Sequence, residues 1–479
     1  MGNLQGLLSR RLVAAVAALL LAATLVALPD RAQGSKSCSA PRKAIKFAKQ
    51  TYVDKTRAGG EPSVDMAPDG TMLYGAHAGT THFYTPAIAD EDSAAFFQNY
   101  RGQAYYWWSK NNGKKWHFSD RTVPPSGVPG SGFSDPDFAI DKAGQVYISE
   151  INLVNIAVSK SEDSGKSYEL QNFFGMTVTD RQWKAADEKN VLYMVGNTFG
   201  GGTFPSDPVG NSGHILIKSK DGGQTFGEAI PDAGGLGDLQ VDYRNGTLYE
   251  AHLDDGLLEI HAFRDARKDK FKPDKAVIAR EVDLQSHWPA IDVDRKGNLY
   301  IVWDERGGGG RDAGVYYSYS TNAGNSWAEP IRVDGSNDTD LWPWLAVGAP
   351  GKVAIAWLEA SKKLPDNDAE TSGDHTWRII AAQTRNGLGC RGSDASGFRR
   401  AVATPKPVHR GTICNSGTVC QAQGIDRRMG DYFTVAIDNT GRMWAGYSDT
   451  RQGGSVALPG YVRQSGGPKF GRPNLPFGR

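Results

Sequence analysis

The chain reads as an all-β protein, a seven-bladed β-propeller of four-stranded blades. Three observations predict this. An octamer of the form Ser-x-Asp/Asn-x-Gly-x-x-aromatic occurs four times, as SKNNGKKW (Ser109 to Trp116), SEDSGKSY (Ser161 to Tyr168), SKDGGQTF (Ser219 to Phe226) and STNAGNSW (Ser320 to Trp327). An apolar hairpin of β-branched and aromatic residues around a turn occurs seven times. Glycine is abundant, at 58 residues, as a turn-rich β protein requires. Repetition at a regular interval is the mark of an array of like units, and four-stranded units repeated radially make a propeller.

The elements follow in order. Arg10 and Arg11 precede the apolar run Leu12 to Leu28, and Pro29 and the small residues Ala32 and Gly34 follow. Residues 1–34 therefore read as a cleaved signal peptide, and 35–479 as a single propeller domain, secreted and free of the membrane after cleavage. The apolar run is short for a spanning helix, and no Cys stands at the cleavage zone. Next comes an unassigned strand, IKFAKQTYVD (Ile45 to Asp54), similar to the strand WAEPIRVD (Trp327 to Asp334) that follows an octamer. It is expected to serve as the outer strand of the last blade and so close the ring without leaving an open edge.

The seven hairpins are PSVDMAPDGTMLYGAH, PDFAIDKAGQVYISE, RQWKAADEKNVLYMVGN, DLQVDYRNGTLYEAH, PAIDVDRKGNLYIVWD, PWLAVGAPGKVAIAWLE and YFTVAIDNTGRMWAGYSD. Each octamer sits between a third and a fourth strand. Asp or Asn can bond turn amides, and Gly admits positive φ, so the octamer builds a tight turn that its aromatic residue covers. The fourth, sixth and seventh units carry degenerate versions, including RDARKDKF (Arg264 to Phe271) and RQSGGPKF (Arg463 to Phe470). A six-bladed ring is the alternative if the fourth unit merges with a neighbour.

A net charge of +1 gives no electrostatic footprint for nucleic acid. Of four cysteines, Cys414 and Cys420 suit a local disulfide and Cys38 and Cys390 a long one that would lock the closing strand. Their spacing does not match a zinc site. No cofactor is expected, although the loop Leu364 to Glu370 (LPDNDAE) offers oxygen ligands of the kind Ca²⁺ takes, at no defined Ca²⁺-loop spacing. A monomer is expected.

The octamers resemble the Asp boxes, or BNR repeats, of the sialidase superfamily. The resemblance covers nearly all of residues 45–479. It implies a propeller whose boxes lie on the face away from the active site, in a superfamily that holds hydrolases, lyases and non-enzymatic members. Sialidases use an arginine triad on the substrate carboxylate, a Tyr nucleophile helped by Glu, and an Asp acid/base. Their Arg-Ile-Pro motif is absent here, and TRAGGEPS, with Arg57, stands in its place.

In a propeller the starts of the first strands and the ends of the second open on one face. The first set is Glu61, Asp135, Arg181, Asp238, His287 with Trp288, Trp342 with Trp344, and Asp431 with Tyr432. The second is His77, Glu150, Asn197, His252, Asp304 with Arg306, Glu359, and Asp449 with Arg451. Sialidase-like chemistry would assign Tyr432 and Glu359 as the nucleophile pair, with Arg181, Asp135 and His287 as further catalytic candidates. Arg306, Arg428 and Arg451 would capture a substrate carboxylate. Trp288, Trp342 and Trp344 would stack on sugar rings or serve as core between blades. First-strand carboxylates also cap the backbone of neighbouring blades, a structural role open to most of them.

Three functions fit this mouth. The first is a glycoside hydrolase on extracellular acidic glycans. The second is a polysaccharide lyase, in which Arg181 would neutralise a uronate and Tyr432 or His287 abstract the proton. Several lyases share the seven-bladed count, whereas sialidases usually have six blades. The third is a non-catalytic propeller that binds a glycan or a protein through the mouth or the long loop Ala78 to Gln103.

Overall fold

The computed structural model describes residues 43–77, 104–121, 134–151, 155–175, 179–198, 213–231, 237–307, 310–389, 397–417, 420, 423–452, 454 and 456–473. Residues 1–34, read from the sequence as a signal peptide, Cys38, Cys390 and residues 78–103 lie outside them. The described residues form seven sheets in chain order, the seven blades of a β-propeller, antiparallel except where Asp120–Arg121 joins the edge of blade 2 in parallel with Ser167–Gly175. Blade 1 holds Gly60–Met66, Met72–His77, Tyr105–Ser109 and His117–Phe118. The blade with the degenerate octamer, Gly237–Asp242, Thr247–Asp254, Leu257–Phe263 and Asp274–Arg280, is a complete fourth blade. Among the described residues, no helix is long and apolar enough to cross a membrane.

Local chemistry sets the turns. In three blades the first hairpin turns on Asp-x-x-Gly. Asp141, Asp294 and Asp438 accept the amides of Ala143, Lys296 and Thr440 at 2.9, 2.7 and 2.8 Å. Gly144, Gly297 and Gly441 close these turns at positive φ. The four octamers share a second pattern. Ser161 Oγ donates to Asp163 Oδ1 (2.8 Å) and accepts the Gly165 amide (2.8 Å), while the same carboxylate oxygen accepts the amides of Lys166 and Ser167. Ser219 and Asp221 repeat it, as do Ser109 with Asn111 and Ser320 with Asn322.

Packing follows the ring. Seven buried apolar clusters each lie between two neighbouring blades, so each sheet buries both faces, and blade 7 packs on blade 1 as any other pair does. The last chain strand, Leu458–Gly466, pairs with Lys46–Phe47 and with Thr51–Tyr52. The N-terminal segment thus supplies the outer strand of blade 7, as its sequence predicts. Cys414 and Cys420 form the local disulfide.

The axis is a narrow cavity of about 150 Å³ lined by the first strands of all seven blades. Carboxylates there cap neighbours. Asp137 accepts the Lys184 amide (2.9 Å), Asp238 the Ile291 amide (3.3 Å) and Asp292 the Val347 amide (2.7 Å), each one blade onward. Thr434 Oγ1 accepts the Val64 amide across the closure (2.7 Å).

Candidate functional site

The mouth begins with a repeated irregularity. In blades 1, 2 and 6 the pairing register slips between Gly60 and Ser63, Ser134 and Asp137, and Leu341 and Trp344. Each slip contains a proline, Pro62, Pro136 or Pro343, which cannot donate to the ladder and marks a bulge. The residue before each proline adopts positive φ: Glu61 (44°), Asp135 (54°) and Trp342 (53°). Arg181 does the same in blade 3, at 57°. Each such position costs a side-chain-bearing residue roughly 1–2 kcal/mol, and strain of this kind gathers where function requires a fixed geometry.

The bulges bring charges together. Arg181 lies 3.1 Å from Asp135 and 3.7 Å from Glu61, and donates to Asp431. Arg427 Nη2 reaches Asp431 at 2.5 Å and Glu61 at 3.3 Å. His287 Nε2 is 3.4 Å from Asp431 Oδ1. All five charged residues are at most 5% exposed. Three carboxylates meet two guanidiniums, so one carboxylate is in excess. Glu61 Oε2 is buried without a hydrogen-bond partner among the described residues. Its carboxylate, that of Asp135 and the His77 ring offer atoms within 4.8 Å of one another. His77 Nε2 is 2.8 Å from Ser134 Oγ, which in turn donates to Asp135. Two guanidiniums beside this trio oppose a cation there, so the set fits proton chemistry better than metal binding.

Beneath the charges lies an aromatic layer. Trp183, Trp288 and Tyr432 meet edge to face, with centroids 5.2–5.9 Å apart. Trp344 closes on Trp183 at 5.6 Å. The Arg181 guanidinium rests 4.8 Å from the Trp288 ring centre. Asp135 and Arg181 of the cluster, Trp183 and Tyr432 of this layer and the axial Asp137 line one small space. His287 stacks on Trp288 and is 26% exposed at its side chain, which marks the open edge of the site. Burial, with the charges of Arg181 and Arg427, pushes its pKa down to about 3, so the ring is neutral at pH 7. Burial, with the carboxylates of Glu61 and Asp135, holds the Tyr432 phenol well above its ordinary value. Its hydroxyl donates to the Pro136 carbonyl at 2.8 Å.

The structure thus gathers Arg181, Asp135, His287, Tyr432, Trp288 and Trp344, and leaves other candidates apart. Glu359 accepts from Ser336 (2.8 Å) and Arg400 in blade 6, and is not Tyr432's partner. Arg428 is bound to Asp426, and Arg451 to Asp449. Arg306 is exposed, and its charge reaches His287. Trp288 and Trp342 are 4% and 3% exposed and lie in packed clusters, and the Trp342 indole donates to Asn415 (3.1 Å). In the acidic loop, Glu370 accepts from the Asn415 amide (2.7 Å) and Ser416 (2.9 Å). Arg427, Glu61 and Asp431 complete the cluster. Glu61 and Asp431 stand at first-strand starts in the sequence, and Glu61-Pro62 repeats the Asp135-Pro136 pattern. Arg427 gave no signal beside Arg428.

No protein-family model matches the chain, and no curated protein matches it by sequence. Solved structures overlap it. An α-L-arabinanase of Penicillium chrysogenum, complexed with arabinobiose, is 11% identical over 87% of this chain and 98% of its own, with a TM-score of 0.45. An ulvan lyase of family PL25 is 11% identical over 83% and 93%, TM-score 0.43. The intramolecular trans-sialidase of Ruminococcus gnavus is 14% identical over 86% and 96%, TM-score 0.41. Likeness at this level speaks to neither substrate nor chemistry.

Proposed function

We propose that the protein is a glycoside hydrolase acting on acidic glycans at the mouth of the propeller. The observation that carries this reading is the buried, unpartnered Glu61 Oε2 beside the Asp135 carboxylate. A buried carboxylate oxygen left unpaired costs roughly 1–3 kcal/mol, and such a cost is sustained where the oxygen has a proton to carry. Glu61 serves as acid and then base, and Asp135, held by Arg181, serves as the facing carboxylate. One oxygen of each lies within 4.8 Å of the other, closer than the roughly 6.5–9.5 Å of inverting enzymes. Protonated Glu61 gives its proton to the leaving oxygen as Asp135 bonds to the anomeric carbon. Water then displaces Asp135 and yields its proton to Glu61. Arg306, exposed at the rim, supplies the cation for an acidic sugar.

A second reading has its own observation. The cluster is mutually paired and almost wholly buried. It would then tie blades 1, 2, 3 and 7 together, under a mouth that only binds. Product analysis separates the two. Purified protein is incubated with sialylated and uronate-containing glycans beside a Glu61→Gln variant, and products are weighed by mass spectrometry. Hydrolysis predicts fragments that gain one water, formed at least about 100-fold more slowly by the variant. Unsaturated fragments without added water would replace hydrolysis with elimination. No fragments would favour the binding reading, and fragments formed equally by Glu61→Gln would overturn Glu61 as the acid and base.

A further inference from the structure

Blade 4 carries a second cluster that this chemistry does not use. His252 lies directly opposite Glu259 in the register of Thr247–Asp254 on Leu257–Phe263, and Glu250 lies opposite His261. Residues two apart on a strand share a face, so all four point to the same side of the sheet. The His252 and His261 rings meet edge to face with centroids 4.3 Å apart. One nitrogen from each ring and one Glu259 oxygen lie within 4.8 Å of one another. His252 is 1% exposed, and its Nδ1 has no hydrogen-bond partner among the described residues.

From this juxtaposition we propose a binding site for a divalent transition ion of the Zn²⁺ class, held by His252, His261 and Glu259. Two imidazoles and a carboxylate are a donor set that Zn²⁺ takes, with a fourth position left for water. Ligand atoms around tetrahedral Zn²⁺ stand about 3.4 Å apart, so the three groups need only close by about 1 Å. Glu259, 15% exposed at its side chain, marks the entry. Glu250, opposite His261 in the register, is engaged by His214 Nε2 at 2.5 Å and adds a second carboxylate to this face of the blade. Lys275 lies opposite His261 on the outer strand, and Glu250 lies opposite His261 on the inner one.

The test is titration of the chelator-stripped full chain with Zn²⁺ by calorimetry, and with Co²⁺ by visible absorption. The expected result is one ion per chain, a Co²⁺ spectrum of low coordination number, and a Tm that rises with metal concentration. His252→Ala should abolish the spectrum. Glu259→Gln, at the edge and safe for folding, should weaken binding at least about tenfold. His77→Ala, in the mouth, should leave it unchanged. No binding, binding indifferent to Glu259→Gln, or binding lost only in His77→Ala would overturn the site.

Discussion

At the residue scale, the position of Glu61 depends on a glycine 369 positions away in the chain. Gly430 has a φ of +77°, and a Cβ there would lie 1.9 Å from Glu61 Cγ. Gly430→Ala must therefore strain its own backbone and displace the Glu61 side chain. The expected cost is about 2–4 kcal/mol from positive φ and overpacking together, read as a fall in Tm. Glu61→Gln, of the same shape, should keep the Tm near that of the parent. If Gly430→Ala folds as stably as the parent, Glu61 is not held as described. The same scale shows what the sequence conceals. Arg427 and Arg428 are adjacent and chemically equal, yet one turns to Asp431 inside the mouth and the other to Asp426. Composition cannot choose between neighbours when an irregular loop sets which one faces the axis.

At the element scale, the octamer is a turn device on the face opposite the mouth. Asp163 accepts from the Lys166 and Ser167 amides and both flanking hydroxyls. Asp163→Ala should cost about 1–2 kcal/mol, because two turn amides lose their acceptor at a site where water can partly replace it. Hydrogen exchange should quicken at those amides, while turnover or binding at the mouth stays at the parent level. Turnover lost without a fall in Tm would show that the octamer does more than close a turn. This element was legible because its chemistry is local: Ser, Asp and Gly at fixed offsets dictate the same bonds in every copy. The seven hairpins were legible for the same reason. The bulges that aim Glu61, Asp135 and Trp342 were half legible, since a proline inside a strand announces an irregularity but not its direction. The pairing of Glu359 with Arg400 was not legible, because it depends on which face of blade 6 its second strand presents to the outermost strand.

At the scale of the whole molecule, the ring gathers like charges at its axis. Asp65, Asp137, Asp238 and Asp292 line one narrow cavity with Lys184 and Tyr243. Lys184 Nζ pairs with Asp137 at 2.9 Å, and among the described residues that line the cavity there is no second Lys or Arg for the other three carboxylates. Asp292 accepts the amides of Val293 (2.6 Å) and Val347 (2.7 Å), which favour its charged form. Burial outweighs them and, with Asp65 and Asp294 nearby, raises its pKa to about 7. A carboxyl raised in the folded state binds more protons folded than unfolded between pH 3.8 and about 7. Its contribution is therefore fully present below pH 3.8 and is lost as pH rises through about 7. Asp292→Asn removes this term while its side-chain carbonyl can still accept an amide. Relative to the parent, the variant should gain stability between pH 4 and pH 8. The gain should be on the order of 1–2 kcal/mol, reduced from the full shift because the side chain is only partly screened from the cavity. The check is the difference in Tm between variant and parent, measured at both ends of that range in one ionic strength. A difference that does not change with pH would mean that Asp292 ionises normally in the folded ring, and that the axis tolerates its carboxylates as charges.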